Sequence, residues 1–205
     1  MKKLMIATAL AAVAAAPAAA TVTISSVDGA SPYGVPATFQ FDGPTAAYSG
    51  TIYNNSVSGV RAQPAGSTGG YAAVGPANAE SSAILDLSAF GEINSITFLW
   101  GSVDSFNLLE VLGTGFSVDG GDPGISPATG NQTAPNSNRL VTLTFTGADR
   151  TNVTSLRFSA TGNAFEFDNV NVAAVPEAAT WAMMLAGFGL IGATMRSRRS
   201  VVSFG

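Results

Sequence analysis

The sequence predicts an all-β protein, an antiparallel β-sandwich of jelly-roll type. Three observations carry that expectation. Between residues 21 and 172 the apolar residues fall in short stretches that alternate with period two, and those stretches are rich in β-branched and aromatic side chains. Clusters of turn formers, such as Asp28-Gly29, Asp42-Gly43-Pro44 and Asp122-Pro123-Gly124, divide them. No segment of that region shows a helical period of comparable quality.

Eight segments are expected as strands, in chain order 21–25, 37–41, 51–53, 93–100, 106–112, 140–146, 153–159 and 164–172. The first alternates Thr21, Val22, Thr23, Ile24; the sixth alternates Leu140, Val141, Thr142, Leu143, Thr144, Phe145. Leu99 and Trp100 are expected to end one strand, Gly101 and Ser102 to turn, and residues 106–112 to return as the second arm of a hairpin. Glu166 and Asp168 alternate with Phe165 and Phe167, which places the two acids on a solvated face. Residues 62–79 and 119–138 lack apolar periodicity and read as long surface loops. About 150 residues are ample for one core.

Composition narrows the chemistry. The chain has 205 residues, 9 Lys+Arg against 13 Asp+Glu, 11% charged residues, and neither Cys nor His. That charged fraction is under half of the usual globular share of about 25%. Thiol nucleophiles, imidazole bases, disulfides and zinc sites built on Cys or His are therefore excluded. The charges are also segregated. Lys2 and Lys3 open the chain and Arg196, Arg198 and Arg199 close it, so four arginines face twelve acids from Asp28 to Asp168, a balance of −8. Such a body offers nothing to nucleic acid.

The two ends read as membrane signals. Lys2 and Lys3, the apolar run 4–13 and the small residues Ala18, Ala19 and Ala20 form a secretory signal peptide over 1–20, with cleavage between Ala20 and Thr21; the Sec translocon and signal peptidase are the implied partners. Residues 178–195 carry no charge and, at about 1.5 Å per residue, span roughly 27 Å, the thickness of a bilayer's hydrocarbon. A single transmembrane helix is expected there. Trp181 sits as an interfacial anchor, and the arginines at 196–199 hold a cytoplasmic tail, 200–205, inside.

Val175-Pro176-Glu177, Thr180-Trp181-Ala182, Gly187-Phe188-Gly189-Leu190 and the closing Arg196, Arg198 and Arg199 together resemble the C-terminal sorting signal of PEP-CTERM proteins. The resemblance covers 173–199, with its motif at 175–184, and the second proline of the family pattern is Ala178 here. It implies a bacterial exported protein whose tail is recognised through Pro176 and Glu177 and cut by an exosortase, an integral-membrane protease, in organisms that commonly make exopolysaccharide. Residues 96–111 are also similar to a stretch of exosortase-dependent surface proteins, and 165–172 to the last strand of secreted jelly rolls, including carbohydrate-binding modules.

Within the body, 21–172, the candidate ligand-binding residues are Trp100, Asp104 and Asn107, a stacking ring beside polar groups. Oxygen-rich positions Asp119, Asp122 and Asp168 are candidate calcium ligands, since a hard cation needs only oxygen. No other cofactor is expected. With no Lys left after signal cleavage, only carboxylate chemistry remains, and Asp104 with Glu110 or Glu166 with Asp168 are the pairs a glycosidase could use. The expectation is a non-enzymatic envelope or matrix protein, structural, adhesive or weakly glycan-binding in an exopolysaccharide biofilm. Two alternatives stay open: a carboxylate-dependent carbohydrate-active enzyme, and a membrane-anchored surface protein that is never cut.

Overall fold

The computed structural model describes residues 19–29, 37–125, 127–175 and 178–197, with the backbone alone at 178–180 and 197. The expected signal peptide thus lies outside the described residues except for Ala19 and Ala20. Among the described residues ten strands form two antiparallel sheets. One has six strands: β1 (Thr21–Asp28), β8 (Arg139–Thr146), β5 (Ile93–Gly101), β10 (Phe165–Ala174), β3 (Tyr71–Val74) and β2 (Ile52–Tyr53), in that spatial order. The other has four: β4 (Ser82–Asp86), β9 (Ser155–Ala160), β6 (Asn107–Leu112) and β7 (Phe116–Asp119). A six-and-four division differs from the eight strands of a simple jelly roll. One helical turn, α1 (Asp149–Asn152), joins β8 to β9.

The sheets meet through aromatic rings. Phe158 of β9 stacks on Phe167 at 3.7 Å between centroids and meets Phe98 and Phe165 edge-on, while Trp100 stacks on Phe165 at 4.2 Å. All five are fully buried. Burying each such side chain contributes about 1.5–3 kcal/mol, and the edge-on ring pairs add to it. β10 keeps its apolar face inward along its whole length only because it changes phase once. Phe165 and Phe167 point to the core, and so do Val170 and Val172, although their spacing breaks the period of two. The break is a bulge between the pairs Asp168↔Leu99 and Asn171↔Thr97, where Asn169 takes a left-handed φ of 52°.

Several expectations are corrected here. Strands β5 and β6 are not a hairpin, because they belong to different sheets and residues 102–106 carry the chain across the sandwich. Asn107, fully buried, makes that crossing possible: its Oδ1 accepts from Trp100 Nε1 at 3.3 Å and from the Asp104 amide at 2.9 Å, and its Nδ2 donates to the Ala164 carbonyl at 3.0 Å. Residues 62–79 are not all loop, since β3 lies within them and all four of its residues are buried. The expected strand 37–41 contributes one isolated bridge, Phe39↔Val170. Strands β4 and β7 were not anticipated.

The largest correction concerns the outer face of the six-stranded sheet. Tyr71, Ala73, Leu99, Glu166 and Asp168 face away from the aromatic core, yet all are fully or almost fully buried. Segments 61–70 and 131–138 are tied over Glu166 and Gly101, while Gly29 lies against Leu99 and Tyr53 with Asn55 against Tyr71. Pro64 packs so tightly on Gly101 that a Cβ there would lie 2.8 Å from the proline ring, so this strand end requires glycine. Removing the Asn107 side chain takes the partner from two buried groups, Trp100 Nε1 and the Ala164 carbonyl, and from the half-buried Asp104 amide. Asn107→Ala is expected to lower stability by about 2–4 kcal/mol, read as a reduced urea midpoint at unchanged slope.

Candidate functional site

Two places in the chain gather functional chemistry: the covered outer face around Glu166 and Asp168, and the C-terminal segment. At the first, Glu166 Oε1 accepts the Ala62 amide at 2.8 Å and Oε2 accepts the Ser102 hydroxyl at 2.8 Å. Asn138, also fully buried, accepts from the amides of Ala65 and Ser102 through Oδ1 and donates through Nδ2 to the carbonyls of Asn131, Gln132 and Ala134. Ser102, with φ 33°, is the residue both side chains share. These three residues clamp two loops onto the sheet.

Burial dominates the acidity of both carboxyls. It pushes Glu166 up to about 8, against the opposing hydrogen bonds from Ala62 and Ser102. Asp168 is pushed up to about 7, again chiefly by burial, with the Asn169 amide and the nearby Ser67 hydroxyl easing the shift and Asp42 adding to it. Ser67 closes no hydrogen bond to Asp168 by distance and angle, and Asp168 Oδ2 has no partner among the described residues. The Asn169 amide donates to the other oxygen at 2.7 Å. Sequence alternation identified this pair but assigned it to water, because it reports that two faces exist and not what covers them.

The ligand-binding residues expected from sequence are brought together, but inside the protein. Trp100 and Asn107 are fully buried and serve the sheet crossing, with Asp104 at its edge. Desolvation raises the pKa of Asp104. Glu110 is paired with Arg157 at 3.1 Å rather than with Asp104. Asp119 and Asp122 accept the amides two residues ahead, at Gly121 (2.7 Å) and Gly124 (2.8 Å), as turn-forming Asp residues do. Among the described residues no three acidic side chains form a group able to hold a metal ion. Of the residues at the expected signal cleavage, Ala20 is exposed and Thr21 opens β1, pairing with Thr146.

The C-terminal segment follows the sandwich directly. β10 ends at Ala174, the Val175 amide still donates to the Glu92 carbonyl at 2.7 Å, and the helix α2 (Ala178–Ser197) begins three residues later. Trp181 and Ala182 are exposed, as are Leu185, Phe188, Leu190, Ile191 and Met195, so apolar side chains face outward around the whole helix. A helix of this kind seeks a nonaqueous partner. Among the described residues no helix is long and apolar enough to cross a membrane; what stands over 178–195 is the helix itself. Arg196 lies in its last turn, while Pro176, Glu177, Arg198 and Arg199 lie outside the described residues, as does the side chain of Thr180.

Residues 174–199 match the family model of the PEP-CTERM protein-sorting motif. The match runs from the last residue of β10 through the arginine cluster and leaves the sandwich outside it. No curated protein and no solved structure matches the chain. The motif supports an exosortase-sorted surface protein, and it implies an exosortase as processing partner and export to the cell envelope or surface.

The buried acids set a pH dependence. Above about pH 4 the unfolded chain has released protons that folded Asp168 and Glu166 still hold, so stability falls as pH rises until both ionise near 7 and 8. The upper bound is about 4–5 kcal/mol for each carboxyl. Thermal melts from pH 4 to 8.5 should show this decline, and Glu166→Gln with Asp168→Asn should flatten it, keeping the acceptors for the Ala62 and Asn169 amides.

Proposed function

We propose that the protein is exported through its N-terminal signal, held at the outer face of the membrane by the helix at 178–195, and then released or relocated by exosortase cleavage near Pro176 and Glu177. The mature sandwich then works as a structural, adhesive or weakly glycan-binding component of the extracellular polysaccharide matrix, without catalysis. The observation that carries this reading is the sorting motif at 174–199. The exposed apolar side chains along α2 support a nonaqueous partner for the tail. The absence of His, Cys and mature-chain Lys supports a non-catalytic body, as does the burial of Glu166 and Asp168 beneath two loops.

Intact mass spectrometry of protein recovered from the membrane and from the medium of its native host tests this. The expected species begins at Thr21 and ends near Pro176 or Glu177. Changing Pro176→Ala and Glu177→Ala together should leave the tail attached and the protein in the membrane. A wild-type chain that keeps its full tail, with nothing released, would identify a permanent anchor instead.

A further inference from the structure

We propose that an open cavity between Asp42 and Asn54 binds one neutral pyranose unit of a polysaccharide, an inference that rests on the extracellular matrix role proposed above and gives it a site. The cavity has a volume of about 420 Å³, within the range of small-molecule sites. Pro44, Ile52 and the ring of Tyr48 give it an apolar wall, and Asp42, Thr51 and Asn54 give it polar groups.

Three features point to a ligand rather than to a surface dent. The Tyr48 hydroxyl is buried and has no hydrogen-bond partner among the described residues, an arrangement that native folds avoid unless something else supplies the partner. It lies against the cavity wall: a Cβ on Gly50, itself a lining residue, would stand 2.6 Å from that oxygen. Second, the ring carrying this hydroxyl is fixed, edge-on to Phe41 at 5.3 Å and to Phe167 at 5.6 Å. Third, the polar wall is preset. Asp42 Oδ1 accepts the Gly70 amide at 3.0 Å, and Thr51 is bound through both its amide and its hydroxyl to Glu80.

The lining selects the ligand class. Lys and Arg are absent from it and Asp42 is its one carboxylate, so an anion is repelled. Burial, with the Glu80 charge, pushes the Tyr48 phenol well above its ordinary value, so it remains a hydroxyl that both donates and accepts. Neutral donors and acceptors beside an apolar wall match the hydroxyls and C–H face of a sugar ring.

The test is calorimetric titration of the full chain, held in a detergent without a sugar headgroup. The probes are the methyl glycosides of glucose, galactose and mannose, with glucuronate and propylammonium as charged controls. At least one methyl glycoside should saturate with a millimolar Kd, and Tyr48→Phe should weaken it tenfold or more without lowering the melting temperature. Asp42→Asn, which keeps the acceptor for the Gly70 amide, should weaken it several-fold. The proposal is overturned if no glycoside saturates by about 100 mM, a hundredfold above a millimolar Kd, if both variants bind like wild type, or if a charged probe alone binds. A processed chain that binds no glycoside would refute the cavity and spare the sorting reading; an uncut chain that binds one would do the reverse.

Discussion

The Glu166 carboxyl is the group on which the arrangement of this sandwich turns. A six-stranded sheet with one apolar face would ordinarily leave its other face in water. Here a carboxyl rooted in an interior strand reaches outward, takes one backbone amide from the 61–70 segment and one hydroxyl from the end of β5, and so draws a second covering over the sheet. Once that covering is in place, Tyr71, Ala73 and Leu99 are buried as well, and Asn138 can tie the second loop to the same point. The cost is desolvation of the acid itself. The fold accepts that cost because the loops have few other means of attachment: apart from Arg61 they are built from Gly, Ala, Asn, Ser, Thr, Pro and Gln, with little apolar area to bury.

Much of the sandwich was legible because apolar alternation survives where one face meets the aromatic core. Residues 21–25, 93–100 and 140–146 were read from period and composition, and each is a strand. β3 escaped because Tyr71, Ala72, Ala73 and Val74 are buried on both faces, so no alternation marks them, and small residues let the loops close over them. The phase change of β10 was not read from the sequence: residues 164–172 pass as one alternating strand, and the bulge at Asn169 appears only in the pairing with β5. The β5–β6 connection misled for a definite reason. Gly101 and Ser102 are turn residues in either geometry, and only the buried partners of Asn107 distinguish a crossing from a hairpin.

The candidate sites divide along the same line. The tail was readable because a sorting signal is recognised as linear sequence, and its order of Pro-Glu, Trp-Ala, apolar run and arginines needs no fold to make it specific. The body's sites are properties of enclosure. Trp100 and Asn107 carry the right chemistry for binding but face inward, whereas Tyr48, with no motif around it, ends beside a cavity because Phe41 and Phe167 hold its ring.

The direct passage from β10 into the tail has a mechanical meaning. β10 is an interior strand, bonded to β5 along most of its length and to β3 at its start, so tension applied through α2 would load those hydrogen bonds together in shear rather than peel them one at a time. The ring of Phe167 on that same strand supports Tyr48. Until the tail is cut, a polymer held at Tyr48 and an anchor at the C-terminus would therefore share a short force path through a single strand, leaving the edge strands β1 and β2 unstressed.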